Sequence, residues 1–259
     1  MNAQVLHTQQ LSIGYQHKKD NICVGSDINL TLNSGQLISM VGANGAGKST
    51  LIRTLGGLQK PLSGHIFLEN KNLTEFSTTQ IAQKLSLVLT EKLPPSQLSV
   101  YELVALGRQP YTNWLGDLSQ DDTQKIELAI KLTQIDHLRH KKHHEISDGQ
   151  LQTVMIARAL AQDTDLIILD EPSTHLDWLH KISLMQLLKK LSHEAGKCIL
   201  FSTHDLDMAL EYSDQMVVLT AQKCWQNTPD QLIEQGIFSE LFPKDQVTFD
   251  TTTKKFLIR

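Results

Sequence analysis

The chain has 259 residues, 40% of them hydrophobic and 20% charged, and a formal net charge of −4. That length suits one large α/β unit or a core with a subdomain, and the charge offers no basic face for nucleic acid. No apolar run approaches the ~20 residues that span a bilayer, and residues 1–10 lack a signal-peptide core.

Cys23, Cys198 and Cys224 are odd in number and widely spaced, so they read as reduced thiols of a cytosolic protein and not as a disulfide framework or zinc site. Residues 5–32 read as short strands turning at Gly14 and again near residues 17–20, with Tyr15 alone among polar neighbours. Residues 36–41 form a buried strand, and residues 48–58 a helix without a breaker before Gly56 and Gly57. Between them stand Gly42, Ala43, Asn44, Gly45, Ala46, Gly47, Lys48, Ser49 and Thr50. Gly42, Gly47, Lys48 and Ser49 fit the P-loop template, in the strand, loop, helix context that it requires. Its glycines let backbone N–H groups point at a phosphate, and the helix N-terminus adds partial positive charge. Lys48 is then expected to reach the terminal phosphates and the Ser49 hydroxyl to hold Mg²⁺. The motif implies binding of a nucleoside triphosphate.

A strand over 64–69, a short helix over 77–85 opened by Ser77 and an apolar strand over 85–89 follow. Pro94-Pro95 marks a subdomain boundary. From residue 100 to about 146 the pattern reads as helical, with a capping box at Ser119 and Asp122 and a stripe of Leu128, Leu132 and Ile135. Ser147 opens a helix to about 162, and residues 166–169 form an apolar strand of the parallel-sheet kind. A helix with Trp178, Ile182, Met185 and Leu188 on one stripe ends at Gly196. Strands at 198–201 and 216–219 flank a helix over 205–212, before a short helix over 229–236 and two pairing strands at 247–249 and 256–258. The outline is a mostly parallel α/β sheet interrupted by a helical insertion.

The strand at 166–169 runs into Asp170-Glu171-Pro172, which puts two carboxylates at the sheet edge where ligands of such folds bind. Asp170 is expected to hold Mg²⁺, and Glu171 to orient and deprotonate an attacking water. Upstream, Ile146-Ser147-Asp148-Gly149-Gln150 opens the helix that carries Ile156-Ala157-Arg158-Ala159-Leu160. The order of P-loop, S-x-G-Q, I-A-R-A-L and L-D-E-P resembles the ATP-binding subunit of ABC transporters over nearly the whole chain.

The resemblance implies one ABC ATPase domain over residues 1–259, with a P-loop NTPase core at 1–92 and 155–259. That core is a mostly parallel sheet with an antiparallel N-terminal β part, and the helical subdomain takes 93–154. It implies an ATPase that uses ATP and Mg²⁺, with Gly42 to Thr50 as Walker A and Asp170 with Glu171 as Walker B and its catalytic glutamate. Lys48 and His204 join Glu171 as catalytic residues, His204 as the switch histidine. Ser147, Gly149 and Gln150 match the signature that faces ATP held by a second copy, Leu176-Asp177 the D-loop, and Tyr15 the ring that stacks on adenine. The partners implied are a twin subunit, an integral membrane permease and, indirectly, a substrate-binding protein, with the chain peripheral at the cytoplasmic face of the membrane. No nucleic acid is expected.

Two positions depart from the family pattern. Ile146 and Asp148 replace the first Leu and the third-position Gly of the usual L-S-G-G-Q. Asp148 sets a carboxylate near a phosphate site, as the L-S-D-G that some siderophore-importer relatives resemble also does. Thr90, followed by Glu91, takes the place of the metal-touching glutamine of the Q-loop. The run Val100 to Pro110, V-Y-E-L-V-A-L-G-R-Q-P, is similar to that of importers for ferric siderophores, haem and cobalamin, where it borders the surface receiving the permease. His137, His140, His143 and His144 lie among Arg139, Lys141 and Lys142, a solvated basic connection and not a metal site. A soluble scaffold ATPase, as in iron–sulfur cluster assembly, and an exporter subunit stay open as other readings.

Overall fold

The computed structural model of the chain describes residues 3–16, 20–90, 96–174, 176–220, 222–241, 247–250 and 255–258. The Pro94-Pro95 break and residues 17–19 lie outside them. Strand β1 (Gln4–Gln16) is followed by β2 (Asn21–Ile28), β3 (Thr31–Asn33) and β4 (Leu37–Gly42). Helix α1 (Lys48–Leu55) leads to β5 (Ser63–Leu68), β6 (Lys71–Asn72), α2 (Thr78–Ala82) and β7 (Leu85–Val88). Next come α3 (Val100–Ala105), α4 (Gln120–Leu132), α5 (Asp148–Ala161), β8 (Leu166–Leu169), α6 (Trp178–Ala195) and β9 (Cys198–Ser202). The chain ends with α7 (Leu206–Tyr212), β10 (Gln215–Leu219), β11 (Cys224–Asn227), α8 (Pro229–Glu234), β12 (Val247–Asp250) and β13 (Lys255–Ile258).

These strands make two main sheets. The antiparallel one is ordered β2-β1-β5-β6 with β3 also on β1, and the other is ordered β11-β10-β4-β9-β8-β7, parallel except for β11. The expected pair β12 and β13 is antiparallel. The parallel strands are apolar at successive positions because both faces are covered. Ile38, Met40, Ile168 and Leu200 join Leu6, Ile13, Leu51 and Leu55 in a core toward the antiparallel sheet and α1. Leu37, Ile167, Leu169 and Ile199 face the other way, onto Ile156, Met185 and Leu188 of α5 and α6.

Helix α5 serves two cores. Ile156 and Ala159 meet the sheet, while Val154, Ala157 and Ala161 pack with Val100, Val104, Ile126 and Ile130 of α3 and α4. The division expected between residues 154 and 155 therefore falls inside one continuous helix.

Several expected elements need correction. Gly14 does not turn the chain: it lies inside the 13-residue β1, at a register shift against β2, because a bulge absorbs the irregularity that glycine marks. The segment 100–146 is not continuous helix: α3 passes into a 3₁₀ turn over Leu106–Tyr111, α4 begins only at Gln120, and two more 3₁₀ turns follow. The capping box expected at Ser119 is formed, and Ser77 and Ser147, expected to open helices, form capping boxes as well. The buried stripe of α4 is Ile126, Ala129 and Ile130, with Leu128 exposed, since packing against α3 and α5 decides the inner face. Trp178 is likewise exposed at the first position of α6.

Candidate nucleotide site

Strand β4 lies between β10 and β9, with β8 and β7 beyond β9, so the residues after β4, β7, β8 and β9 emerge at one edge of the parallel sheet. After β4 the chain passes through residues 43–47, and Gly45 and Gly47 adopt φ of 79° and 100°. A side chain at Gly47 would combine that left-handed backbone with a Cβ 2.6 Å from Val24 Cγ1. Gly47 is also the N-cap of α1 and offers no side chain to its amides, leaving the helix N-terminus to a ligand.

Lys48 is buried, and its Nζ donates to the carbonyls of Gly42 at 2.8 Å and Ala43 at 3.3 Å. Burial lowers the Lys48 pKa, while the nearby Glu171 and Asp170 carboxylates oppose the shift. Ser49 is exposed at the first turn of α1. Thr50 is buried, and its Oγ1 lies 3.2 Å from the hydroxyl of half-exposed Tyr15, which ties the expected adenine ring to the P-loop helix.

Asp170 is only 2% exposed and donates its amide to Val88 O at 2.8 Å. Its Oδ1 accepts the Ser202 hydroxyl at 2.6 Å, and Oδ2 has no hydrogen bond among the described residues. Glu171 leaves β8 at φ 49°. Its Oε1 stands 2.5 Å from His204 Nε2, and its Oε2 accepts the Thr174 hydroxyl at 3.1 Å. Thr90, exposed, follows Val88 by two residues at the same edge.

Cationic and carboxylate groups thus converge: Lys48, Asp170, Glu171 and His204 gather beside the glycine cradle. Helix amides and Lys48 suit a polyphosphate, and the free oxygen of buried Asp170 with the Ser49 hydroxyl suits a hard divalent cation. A family model described as ABC transporter matches residues 26–174, more than half of the chain. The chain belongs to the ABC transporter family.

As an ABC ATPase it binds and hydrolyses ATP. Among the curated members that it is similar to are the probable siderophore transport system ATP-binding protein YusV of Bacillus subtilis and the iron(3+)-hydroxamate import ATP-binding protein FhuC of the same organism. The first is 34% identical over 96% of this chain and 90% of its own length, the second 35% identical over 96% and 92%. The ferric enterobactin transport ATP-binding protein FepC of Escherichia coli is 31% identical over 92% of this chain and 86% of its own. Among solved structures, the dimeric cassette MJ0796 in a post-hydrolysis state with ADP and Pi has a TM-score of 0.76 at 27% identity, over 86% of this chain and 98% of that one.

The other residues that the resemblance singles out make local contacts of their own. Ser147 and Gln150 bond one another across the start of α5, and no hydrogen bond joins them or Gly149 to the P-loop among the described residues. Asp177 caps α6, accepting the His180 amide at 2.9 Å and facing the His180 ring at 2.8 Å. Within the Leu-Gly-Arg run, Gly107 and Arg108 are anchors. A Cβ on Gly107 would collide with Arg158 O, and buried Arg108 donates to Asp122 Oδ1 at 2.7 Å and Ala161 O at 2.9 Å. Sequence reasoning missed Ser202 and Thr174, although Ser202 stands in the same Ser-Thr-His run as His204.

Proposed function

We propose that this chain powers import of a metal chelate, an iron siderophore in the first place with haem or cobalamin as the other candidates, through a separate membrane permease. Support comes from the match to siderophore import ATP-binding proteins over more than nine-tenths of the chain. Among the described residues no helix is long and apolar enough to cross a membrane. In this reading the chain sits at the cytoplasmic face against the permease, which receives cargo from an external binding protein. Exposed Leu106, Tyr111, Trp114, Leu115 and Leu118, on the segment that follows α3, form the permease-facing surface.

Glu171 takes the proton of the attacking water, and His204 holds the Glu171 carboxylate and meets the γ-phosphate side of the site. Gly42 to Thr50 cradle the phosphates, Lys48 moves from its carbonyl partners to the terminal phosphate, and Tyr15 stacks on adenine. Ser49 and Asp170 would hold Mg²⁺, with Thr90 beside them, and the ion would supply positive charge against the phosphates. Ser147, Gly149 and Gln150 close on the nucleotide of a second copy, so that two chains sandwich two ATP molecules and reopen after hydrolysis. The domain divides functionally into the P-loop core and the α3 to α5 helical layer that carries this signature.

Reconstitution with the permease and binding proteins tests the import reading. ATP turnover is expected to rise with a binding protein loaded with its ferric siderophore, haem or cobalamin. A complex that purifies without any polytopic membrane protein, and a turnover indifferent to all three cargo classes, would overturn it.

A further inference from the structure

Beyond the P-loop and the two carboxylates, one buried hydroxyl joins the parts of the site. Ser202, the last residue of β9, is fully buried. Its Oγ donates to Asp170 Oδ1 at 2.6 Å and accepts the Glu171 amide at 2.8 Å. A serine hydroxyl has one donor and two acceptor positions, so a single side chain serves both neighbours.

The register explains why this bridge is needed. The parallel ladder of β8 with β9 ends at Leu169 opposite Phe201, and the Asp170 amide turns to Val88 on β7 instead. The next amide, that of Glu171, is donated to the Ser202 hydroxyl, which stands where the backbone ladder has stopped. Glu171 is there in the left-handed region, which a residue with a Cβ rarely adopts without surrounding support. The Thr203 amide bonds Met40 O at 3.1 Å, so the same stretch of β9 is fastened to the strand that carries the P-loop.

We propose that Ser202 is a positioning residue of ATP hydrolysis, fixing the Asp170 carboxylate and the Glu171 backbone turn through one hydroxyl bridge. Its bond to Oδ1 directs the other Asp170 oxygen toward the cation, and its bond to the Glu171 amide aims that side chain at His204 and the water. The cation-holding and base-holding residues are thereby set as a unit. This rests on the proposed roles of Asp170 and Glu171.

The test compares Ser202→Ala and Ser202→Cys with the unsubstituted full chain, with Glu171→Gln alongside. Cysteine keeps nearly the same shape with a weak donor, so folding is preserved where alanine leaves a small void. Turnover is expected to fall in the order Ser, Cys, Ala, with alanine losing roughly 10–100-fold in kcat, the scale of a misplaced catalytic group, and KM for ATP nearly unchanged. The Mg²⁺ concentration for half-maximal binding of a fluorescent ATP analogue, read without turnover, is expected to rise several-fold. Alanine turnover within twofold of the parent, or a loss that follows melting temperature while the Mg²⁺ midpoint stays fixed, would overturn the proposal. Glu171→Gln separates the two readings. If that variant is inactive while Ser202→Ala is normal, only the role of Ser202 fails; if it hydrolyses ATP normally, the assignment of Glu171 fails first.

Discussion

Glu171 is held at three points: its amide by Ser202, one carboxylate oxygen by Thr174 and the other by His204. Glutamine at this position keeps the shape and the Thr174 contact but cannot accept the proton of water. Glu171→Gln is expected to lower turnover by about 10²–10⁴, the usual worth of a general base, while ATP still binds. Phosphate release at saturating ATP and calorimetric titration measure the two halves of that statement. Residues of the P-loop were legible from sequence because nine consecutive positions make the cradle, the helix start and the lysine together. The bridge by Ser202 was not, because it depends on the register of β8 against β9, strands that sequence patterning finds without saying how they slide.

Short helices and turns, not one long helix, make up the layer carried by α3, α4 and α5, and a buried ion pair fastens it. The side chains of Arg108 and Asp122 are 5% and 6% exposed. Arg108 also spans to the carbonyls of Ala161 and Gln162 at the end of α5, and the Tyr111 ring lies 4.0 Å from its guanidinium. Periodicity alone overread this region as helix because Leu128 mimics a stripe, while the real inner face is set by partners distant in sequence. Arg108→Ala leaves a buried carboxylate without its cation and is expected to cost about 3–5 kcal/mol, read as a lower urea midpoint. Burial works to raise the Asp122 pKa, but the Ser119 and Arg108 hydrogen bonds outweigh it and hold the carboxyl below the ordinary 3.8. A group depressed on folding stabilises above its unfolded value and loses that contribution as pH falls. Acid unfolding of the parent is therefore expected to steepen below pH 3.8, and Asp122→Asn to flatten it; equal acid slopes for the two would remove Asp122 from the account.

At the scale of the whole molecule, the proposed site has two halves, and one chain does not join them. The glycine cradle, Lys48 and Glu171 gather at the parallel-sheet edge, whereas Ser147 and Gln150 bond each other at the exposed start of α5. Ser147 has satisfied its local duty as a helix cap, so the role proposed for it toward a second copy needs a test of its own. If the second half comes from a twin, ATP held without hydrolysis should act as the glue. The Glu171→Gln chain with ATP and Mg²⁺ is expected to double in mass from 29.1 kDa by light scattering, and to return to a monomer with ADP. Adding Ser147→Arg places a long cation on the facing surface and is expected to block the dimer while ATP binding to the monomer persists, since the P-loop is untouched. Both contrasts are needed because a chain that dimerises through some other surface would ignore Ser147→Arg, and one that binds ATP alone would never change mass. Either behaviour would remove the second copy from the site and leave the exposed Ser147 turn as a cap and nothing more.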